Sequence, residues 1–426
     1  MLRKLALHNV GPAKDLVLNP VGPRLNLLTG DNGLGKSFLL EAAWWSLTRT
    51  WHEVAAVPSA PDARISHDFD GESAISRSES RWMPDGQYWK RRSGRPPNPG
   101  LVMYARVDGS FSVWDPARNY RLYSRADGGE AESPAAYQFT SSEVLWGLRR
   151  RVTAAGQERE ETLCLGLVDE WREWQRAGDP RFELLVELLA ALGPDNQALE
   201  PGELVRPSLD DVRELPTIRM PYGQDVPITY APAGVRRMCK LAYLLAWAMS
   251  EHEAESTRRA IAPSRQIIML VDEIETHLHP RWQRTVLPGL MKAIAGWREG
   301  DAPDVQLIVA THSPLVLTSI EPLFDPKQDA LWKLDLENGT VVIERDEWHK
   351  RGDALMWLES DVFDETAPYS REAEAAMKDA AALMADPDAS QERADHLRTR
   401  LRGVLADTDP FWLNWRAWRR SKGWSP

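Results

Sequence analysis

The chain has 426 residues, of which 43% are hydrophobic and 27% charged; this is ordinary for a globular protein and argues against wholesale disorder. The length exceeds that of one compact domain, so we expect a core domain with at least one inserted or appended lobe. A net charge of −11 argues against broad electrostatic adhesion to DNA or to anionic lipid, but allows a local basic patch.

The number of cysteines and the length of the apolar runs indicate the cellular compartment of the protein. Cys164 and Cys239 are the only cysteines, too few for a disulfide framework or a four-cysteine metal site. The N-terminus lacks the apolar core of a signal peptide, and the longest apolar runs reach about half of the ~20 residues that a membrane-spanning helix needs. We therefore expect a reduced, cytoplasmic protein with no membrane span.

The first 51 residues predict a strand-rich start followed by a helix. Leucines recur with period two around residues 5–7, 16–18 and 25–27, which predicts three half-buried strands separated by Gly-Pro turns. The third strand leads directly into Gly30, and residues 38–51 form an apolar stretch without breakers, which predicts a buried helix. This order of strand, glycine loop and helix is the one that a phosphate site requires.

The glycine loop matches the pattern G-x-x-x-x-G-K-[ST] in full. Its residues are Gly30, Asp31, Asn32, Gly33, Leu34, Gly35, Lys36 and Ser37. Glycines let consecutive backbone N–H groups point at phosphates, and the following helix adds its positive N-terminal end. We expect Lys36 to reach the β and γ phosphates of ATP and Ser37 to offer its hydroxyl to Mg²⁺.

Residues 52–215 differ in composition and are interpreted as an inserted lobe of hairpins followed by helices. Proline, glycine and arginine become frequent, and no buried strand comparable to residues 267–271 is expected there. The pairs Asp85-Gly86 and Asp108-Gly109 are typical of hairpin turns. Residues 145–192 predict two or three helices, with no sustained heptad.

Buried strands return after residue 216. Residues 226–230 look like a strand, and Gly234 precedes a helix through residues 241–250. The runs 267–271 and 305–310 are short and apolar, as in a sheet covered on both faces. Residues 331–336 and 340–344 predict a hairpin around Asn338-Gly339, and the chain from about residue 353 reads as helical.

Two candidate catalytic segments follow these strands. Asp272 and Glu273 end the first, where Asp272 would orient Mg²⁺ and Glu273 would polarise the attacking water; the alternative is a solvated strand cap. Thr311-His312-Ser313-Pro314 follows the second and emerges at the same edge of a parallel sheet. His312 would sense the γ phosphate, although a lone histidine after a strand is usually incidental.

Three motifs in this order resemble those of ABC-class ATPases. The run DEIETHLHP at residues 272–280, with GDNGLGKS and THSP, looks like the SMC- and OLD-like branch of that class. The resemblance implies an α/β fold with an N-terminal antiparallel β subdomain, a mainly parallel core sheet, an inserted α/β lobe and a C-terminal helical extension. It also implies ATP clamped between two head-to-tail subunits of a homodimer, or of a higher oligomer.

The resemblance further implies a signature sequence that completes the partner's site, here residues 231–237. Gly234 is present, so we expect it to contact nucleotide. Pro232 replaces the usual small hydroxyl residue and offers neither N–H nor hydroxyl, which puts rapid hydrolysis in doubt. For the family's glutamine loop, Gln138 is the candidate.

Two further groups carry alternative interpretations. His277 and His279 either line the dimer interface near the nucleotide or contribute to a metal site, and we favour the interface because no further ligands accompany them. Trp412, Trp415 and Trp418 are interleaved with arginines. They either pack against their own domain or form a surface for a protein or for nucleic acid bases.

The C-terminal segments WLESDVF and YSREAEAA look similar to Septu-type anti-phage ATPases, which work with a separate HNH nuclease. No acidic cluster of a TOPRIM nuclease follows the last strand. We therefore expect four segments: ATPase residues 1–51, inserted lobe 52–215, ATPase residues 216–350 and helical extension 351–426. The hypothesis is a defence ATPase that gates a partner effector. The alternatives are a DNA-repair or DNA-end-binding ATPase and a weakly hydrolysing scaffold.

Overall fold

The computed structural model describes residues 1–52, 54–71, 75–90, 98–119, 136–154, 157–194, 197–210, 212–297, 303–363 and 366–425. The chain divides into two compact units, Met1–Ala354 and Leu355–Pro426. No helix in the described ranges is both long enough and apolar enough to cross a membrane.

The first unit begins with an antiparallel sheet of five strands in the order β2-β1-β4-β5-β6. These are β1 (Leu2–His8), β2 (Asp15–Leu18), β4 (Arg64–Asp70), β5 (Ile75–Met83) and β6 (Tyr88–Trp89). Alternate residues of β2 and β4 are buried, as expected for strands with one covered face. The predicted N-terminal antiparallel subdomain is confirmed.

A second sheet of eight strands forms the centre of this unit, in the order β18-β17-β3-β16-β15-β7-β8-β9. Its strands are β3 (Leu25–Thr29), β7 (Leu101–Ala105), β8 (Phe111–Trp114), β9 (Tyr137–Phe139), β15 (Gln266–Asp272), β16 (Asp304–Ala310), β17 (Ala330–Glu337) and β18 (Thr340–Asp346). The five strands from β17 to β7 pair in parallel, whereas the outer strands are antiparallel. The core sheet is therefore mainly parallel, as predicted.

Three strands of this central sheet, β7, β8 and β9, lie in the segment predicted to have no buried strand. All five residues of β7 are buried, and it pairs with β15 through registers such as Tyr104 with Leu270. The expectation of no buried strand in residues 52–215 is therefore wrong. The run Leu101–Ala105 is entirely apolar and includes Val102 and Tyr104, so its sequence is compatible with a buried strand, and its pairing with β15 places it in the core sheet. The boundaries of the inserted lobe stay a prediction.

Helices and short strands complete the first unit. They are α1 (Lys36–Thr48), α2 (Ser141–Trp146), β10 (Leu148–Ala154), β11 (Gln157–Cys164), α3 (Leu167–Ala177), α4 (Pro180–Leu192), β12 (Glu200–Pro201), β13 (Thr217–Arg219), β14 (Asp225–Pro227), α5 (Ala233–Arg258), α6 (Pro280–Gln283), α7 (Val286–Ala295), α8 (Pro314–Ile320) and, at the boundary between the units, α9 (Ala354–Leu358).

Two of the sequence expectations for this part were wrong. Residues 148–164 form the hairpin of β10 and β11 and not a helix, because charged and β-branched residues there pair across the turn. The strand expected at residues 226–230 ends at Pro227 and continues as a 3₁₀ helix, Ile228–Tyr230. Pro227 cannot donate to a ladder, which explains the early end of the strand.

The second unit contains a 3₁₀ turn (Asp361–Phe363) and the helices α10 (Arg371–Ala385), α11 (Gln391–Val404) and α12 (Phe411–Ser421). Its buried core consists of three alanines and Leu383 from α10, Ala394 and Leu401 from α11, Leu405, and two tryptophans from α12. Trp412 and Trp415 are buried there, so the interpretation of these two residues as packing residues is confirmed.

Candidate functional site

The phosphate loop connects β3 to α1 at the carboxyl edge of the central sheet. Gly30 and Gly35 both have positive φ values, 126° and 98°. A Cβ at Gly30 would lie 2.2 Å from the carbonyl oxygen of Leu334, and one at Gly35 would lie 2.7 Å from Pro12. Only glycine fits these positions, because a side chain would be strained at both and would meet backbone at Gly30 and the Pro12 ring at Gly35.

Lys36 is buried at the centre of this loop. Its Nζ donates to the carbonyl oxygens of Gly30 at 2.6 Å and Asp31 at 2.7 Å. Burial lowers the pKa of Lys36, and the nearby carboxylates of Glu273 and Asp272 oppose that effect. Folding thus places the Lys36 ammonium near the carboxylates of Asp272 and Glu273, which lie more than two hundred residues later in the chain.

Asp272 has the environment expected of a metal ligand. It is 2% exposed, and its Oδ1 is buried without a hydrogen-bond partner among the described residues. Burial raises the pKa of Asp272, whereas the nearby Ser37 hydroxyl and the Lys36 ammonium lower it. A buried carboxylate oxygen without a partner, beside a hydroxyl, suits the oxygen ligands that Mg²⁺ prefers. Ser37 and Asp272 therefore fit the predicted metal.

Glu273 and His312 contact each other across neighbouring strand ends. His312 Nε2 lies 3.1 Å from Glu273 Oε1, and the Thr276 hydroxyl donates to Glu273 Oε2 at 3.0 Å. Glu273 adopts the left-handed conformation (φ 46°), which turns the chain sharply after β15. Both side chains are partly exposed, at 29% each, so a ligand at this edge can reach them.

Glu275 is a site residue that the sequence interpretation missed. Its Oε1 accepts from the backbone N–H of His312 at 2.5 Å. Its Oε2 is buried without a partner among the described residues, and burial raises the pKa of Glu275. The acidic repeat in DEIE was the available signal. Spacing alone could not reveal the bond, because His312 is 37 residues away and comes from the adjacent strand.

The candidate signature sequence begins α5 and contacts the acidic segment of the same chain. A Cβ at Gly234 would lie 2.6 Å from the carbonyl oxygen of His277. Arg237 donates to the carbonyl oxygens of Asp272 at 3.2 Å, Glu273 at 2.9 Å and Val107 at 2.7 Å. Arg237 thus fixes the backbone behind the acidic pair, a contact that was not predicted.

The remaining candidates are His277, His279 and Gln138. His277 and His279 are exposed, and His279 Nδ1 accepts from the backbone N–H of Arg281 at the start of α6. Gln138 lies on β9, at the far edge of the sheet, and donates to the carbonyl oxygen of Trp51. On the side away from β16, β15 is paired with β7. The residues that follow β7, namely Arg106, Val107 and Asp108, line a cavity of about 250 Å³ next to α5.

Comparisons with known proteins agree with this arrangement. Residues 142–318 match the family model "AAA domain, putative AbiEii toxin, Type IV TA system". A stretch of 53 residues is 47% identical to the "Retron Vc95 probable ATPase" of Vibrio cholerae serotype O1 biovar El Tor and covers 12% of this chain and 9% of that protein. A stretch of 54 residues is 43% identical to the "Retron Ec83 probable ATPase" of Escherichia coli and covers 13% and 8%.

These matches are short, spanning less than a tenth of the length of each retron protein. Among solved structures, the chain is similar to the SMC head domain from Thermotoga maritima, with a TM-score of 0.39 and 15% identity, covering 82% of this chain and 99% of that one. The family match and the retron relatives, with three motifs converging at one sheet edge, confirm the resemblance. The chain is thus similar to ATPases of the SMC- and OLD-like branch, and the family match covers residues 142–318 but not the phosphate loop at residues 30–37.

Proposed function

We propose that this protein is a Mg²⁺-dependent ATPase that works as a head-to-tail dimer in the cytoplasm and regulates a partner effector, such as a separate HNH nuclease, in a bacterial anti-phage system. One observation carries the ATPase part of the proposal. Lys36, Asp272, Glu273 and His312 come from three parallel strand ends or the loops after them and meet within one cluster.

Each residue has a chemical task in this proposal. Backbone N–H groups of the loop and Lys36 hold the β and γ phosphates. Ser37 and Asp272 would hold Mg²⁺, which would offset the charge of the phosphates. Glu273 polarises the attacking water, and His312, oriented by Glu273, contacts the γ phosphate. Gly234 belongs to the signature offered to the partner subunit's nucleotide.

Nucleotide binding and turnover test the ATPase part. Wild-type protein should bind ATP in the presence of Mg²⁺ and release phosphate, whereas Lys36→Ala should lose binding, because the buried ammonium faces the phosphates. Lys14→Ala, at an exposed position of the β1–β2 loop, is the matched control. Equal ATP binding by both variants would refute the assignment of the site.

The regulatory part of the proposal is supported by the short stretches of similarity to retron ATPases and by the C-terminal similarity to Septu-type ATPases. It is tested by co-expressing the protein with the product of the neighbouring reading frame. Effector activity should change between ATP-bound and ATP-free complexes, and this change should be absent with Lys36→Ala. Effector activity that is the same with and without ATP would contradict gating while leaving the ATPase assignment intact.

A weakly hydrolysing scaffold is the second candidate. Pro232 favours it, because this residue occupies the N-cap of α5 and makes no side-chain cap hydrogen bond there. Phosphate release that is negligible in wild type and unchanged by Glu273→Gln, with ATP binding intact, would select the scaffold over the hydrolase.

A further inference from the structure

The end of the chain carries a charge opposite to that of the whole protein. Residues 390–425 contain eight lysines and arginines but only four carboxylates, in a chain whose net charge is −11. The basic residues are Arg393, Arg398, Arg400, Arg402, Arg416, Arg419, Arg420 and Lys422. They lie on or beside α11 and α12.

Some of these arginines are neutralised within the second unit. Arg393 pairs with Asp386, Arg400 with Asp379 and Arg419 with Asp395. By contrast, four arginines form no ion pair with any residue that the structure describes. We call these four the basic face; they are Arg398, Arg402, Arg416 and Arg420.

Three of the four arginines converge on one small cleft. Arg398, Arg402 and Arg416 line a cleft of about 50 Å³ together with the single carboxylate of Asp407. Burial lowers the pKa of Arg398, and the positive charges of Arg402, Arg419 and Arg416 lower it further. Like charges held together in this way repel one another, so the cleft would be stabilised by an anion.

The cleft's size and lining indicate the kind of anion. Pockets for cofactors and small ligands usually exceed about 300 Å³, so this cleft can serve as a contact point but not as a ligand pocket. Trp412 and Trp415 line it but are 6% and 1% exposed, so the cleft offers charge without an apolar centre. Interfaces with nucleic acids have this character, being more polar and more positive than interfaces between proteins.

We propose that the basic face binds the phosphodiester backbone of a nucleic acid, independently of base sequence and of ATP. The guanidinium groups of Arg398 and Arg402 project one helical turn apart on α11, and Arg416 and Arg420 do so on α12. Each can fork onto phosphate oxygens. Because Trp412 and Trp415 are buried, neither of them can stack on a base within the cleft.

Fluorescence anisotropy with a short labelled DNA duplex tests the proposal on the full chain. Wild-type protein should bind, and the affinity should fall steeply between about 50 and 200 mM salt. The triple variant Arg398→Gln/Arg402→Gln/Arg416→Gln should bind at least about tenfold more weakly at low salt. The slope of log affinity against log salt should shrink by about 0.9 for each lost phosphate contact.

A second triple variant controls for net charge. Arg77→Gln/Arg149→Gln/Arg159→Gln removes the same charge from exposed positions of the first unit, with side chains 79%, 61% and 68% exposed. It should keep the wild-type slope, as should Lys36→Ala. Equal weakening by the two triple variants would overturn the proposal, as would an unchanged slope in the first triple variant.

Two further measurements control for misfolding and distinguish a nucleic acid from an acidic protein. The triple variant Arg398→Lys/Arg402→Lys/Arg416→Lys keeps the charge and should retain most of the salt dependence, which excludes misfolding as the cause of lost binding. Labelled polyglutamate of similar length should bind far more weakly than the duplex. Polyglutamate binding as tight as duplex binding would overturn the nucleic acid assignment in favour of an acidic protein.

Discussion

Glu273 has its two carboxylate oxygens occupied by different parts of the chain. His312 contacts one oxygen, and the Thr276 hydroxyl donates to the other. These contacts fix the carboxylate at the sheet edge, beside the buried Lys36 and Asp272. An acid held in this way can act on a water molecule at a defined position, which is the requirement for a general base.

Removing the charge of Glu273 separates binding from turnover. Glu273→Gln keeps the shape and the contact with Thr276 but cannot accept a proton. We expect phosphate release to fall by about 100-fold or more, in the range typical of general bases, while ATP affinity stays within a few fold. Malachite-green phosphate assays and nucleotide titrations measure the two quantities. Glu173→Gln, at an exposed position of α3, should behave as wild type.

His67 makes stability depend on pH. It is 1% exposed on β4, packs against Phe69 and Trp45, and neither ring nitrogen has a partner among the described residues. Burial lowers its pKa to about 3, and Arg49 adds to the effect. Below about pH 6.5 the histidine becomes protonated in the unfolded chain but stays neutral in the folded protein. This contribution of His67 to the free energy of unfolding is therefore present above pH 6.5 and is lost as the pH falls towards 3.

The variant His67→Phe should remove this acid sensitivity. Between pH 7 and pH 5 we expect wild type to lose roughly 2 kcal/mol more of its free energy of unfolding than the variant loses. Urea unfolding at the two pH values measures the difference. His349→Phe is the control, because that histidine is exposed. Identical pH dependence of wild type and His67→Phe would contradict a buried neutral histidine.

At the scale of elements, the ends of β15 and β16 are joined by side chains as well as by the sheet. Glu275 accepts from the N–H of His312, and the Ser313 hydroxyl donates to Gln283 in the segment that follows β15. The sheet sets the spacing of the strands, but these bonds set the direction in which each loop leaves its strand. The site therefore depends on contacts between loops beyond the ladder.

Glu275 should accordingly behave as a positioning residue. Glu275→Ala should lower kcat by about tenfold, because His312 loses its backbone anchor, while KM for ATP changes little. Glu275→Gln should restore most of the rate, since an amide oxygen still accepts from the N–H. Steady-state kinetics check this prediction. If kcat of Glu275→Gln were as low as kcat of Glu275→Ala, the negative charge of Glu275 would matter and the hydrogen bond to His312 would not.

Pro232 at the N-cap of α5 can be tested by substitution. Pro232 has φ −52° and ψ 149°, values that serine adopts readily at an N-cap. Pro232→Ser should add a cap worth about 0.5–1 kcal/mol and supply the hydroxyl that the family signature carries, so ATP turnover should rise several-fold. Pro221→Ser, at an exposed loop position, is the control. Turnover unchanged by Pro232→Ser would contradict the expectation that Pro232 slows hydrolysis.

At the scale of the whole molecule, the proposed dimer links the nucleotide to assembly. Because the signature would act on the partner's ATP, the Glu273→Gln variant should accumulate as a dimer with ATP and Mg²⁺ and remain monomeric without them. The double variant with Lys36→Ala should stay monomeric under both conditions. Light scattering after size-exclusion chromatography measures the mass. A mass independent of nucleotide in the single variant would contradict ATP-driven pairing.

The sequence by itself determined the local part of this protein. The phosphate loop, the strand before it and the helix after it are continuous in the chain, so spacing alone predicted their order. The apolar runs of β15 and β16 likewise predicted buried strands with polar ends. The hairpin of β17 and β18 followed from Asn338-Gly339, whose positive φ values of 50° and 78° the turn requires.

Only the tertiary structure decided what depends on contacts between distant residues. Tyr104 and its neighbours lie in the core sheet because their strand pairs with β15, and Glu275 and Arg237 join the site because folding brings β16 and α5 beside the acidic pair. Hydrophobic pattern and turn chemistry act over a few residues, whereas strand pairing and buried hydrogen bonds join residues that no local pattern relates.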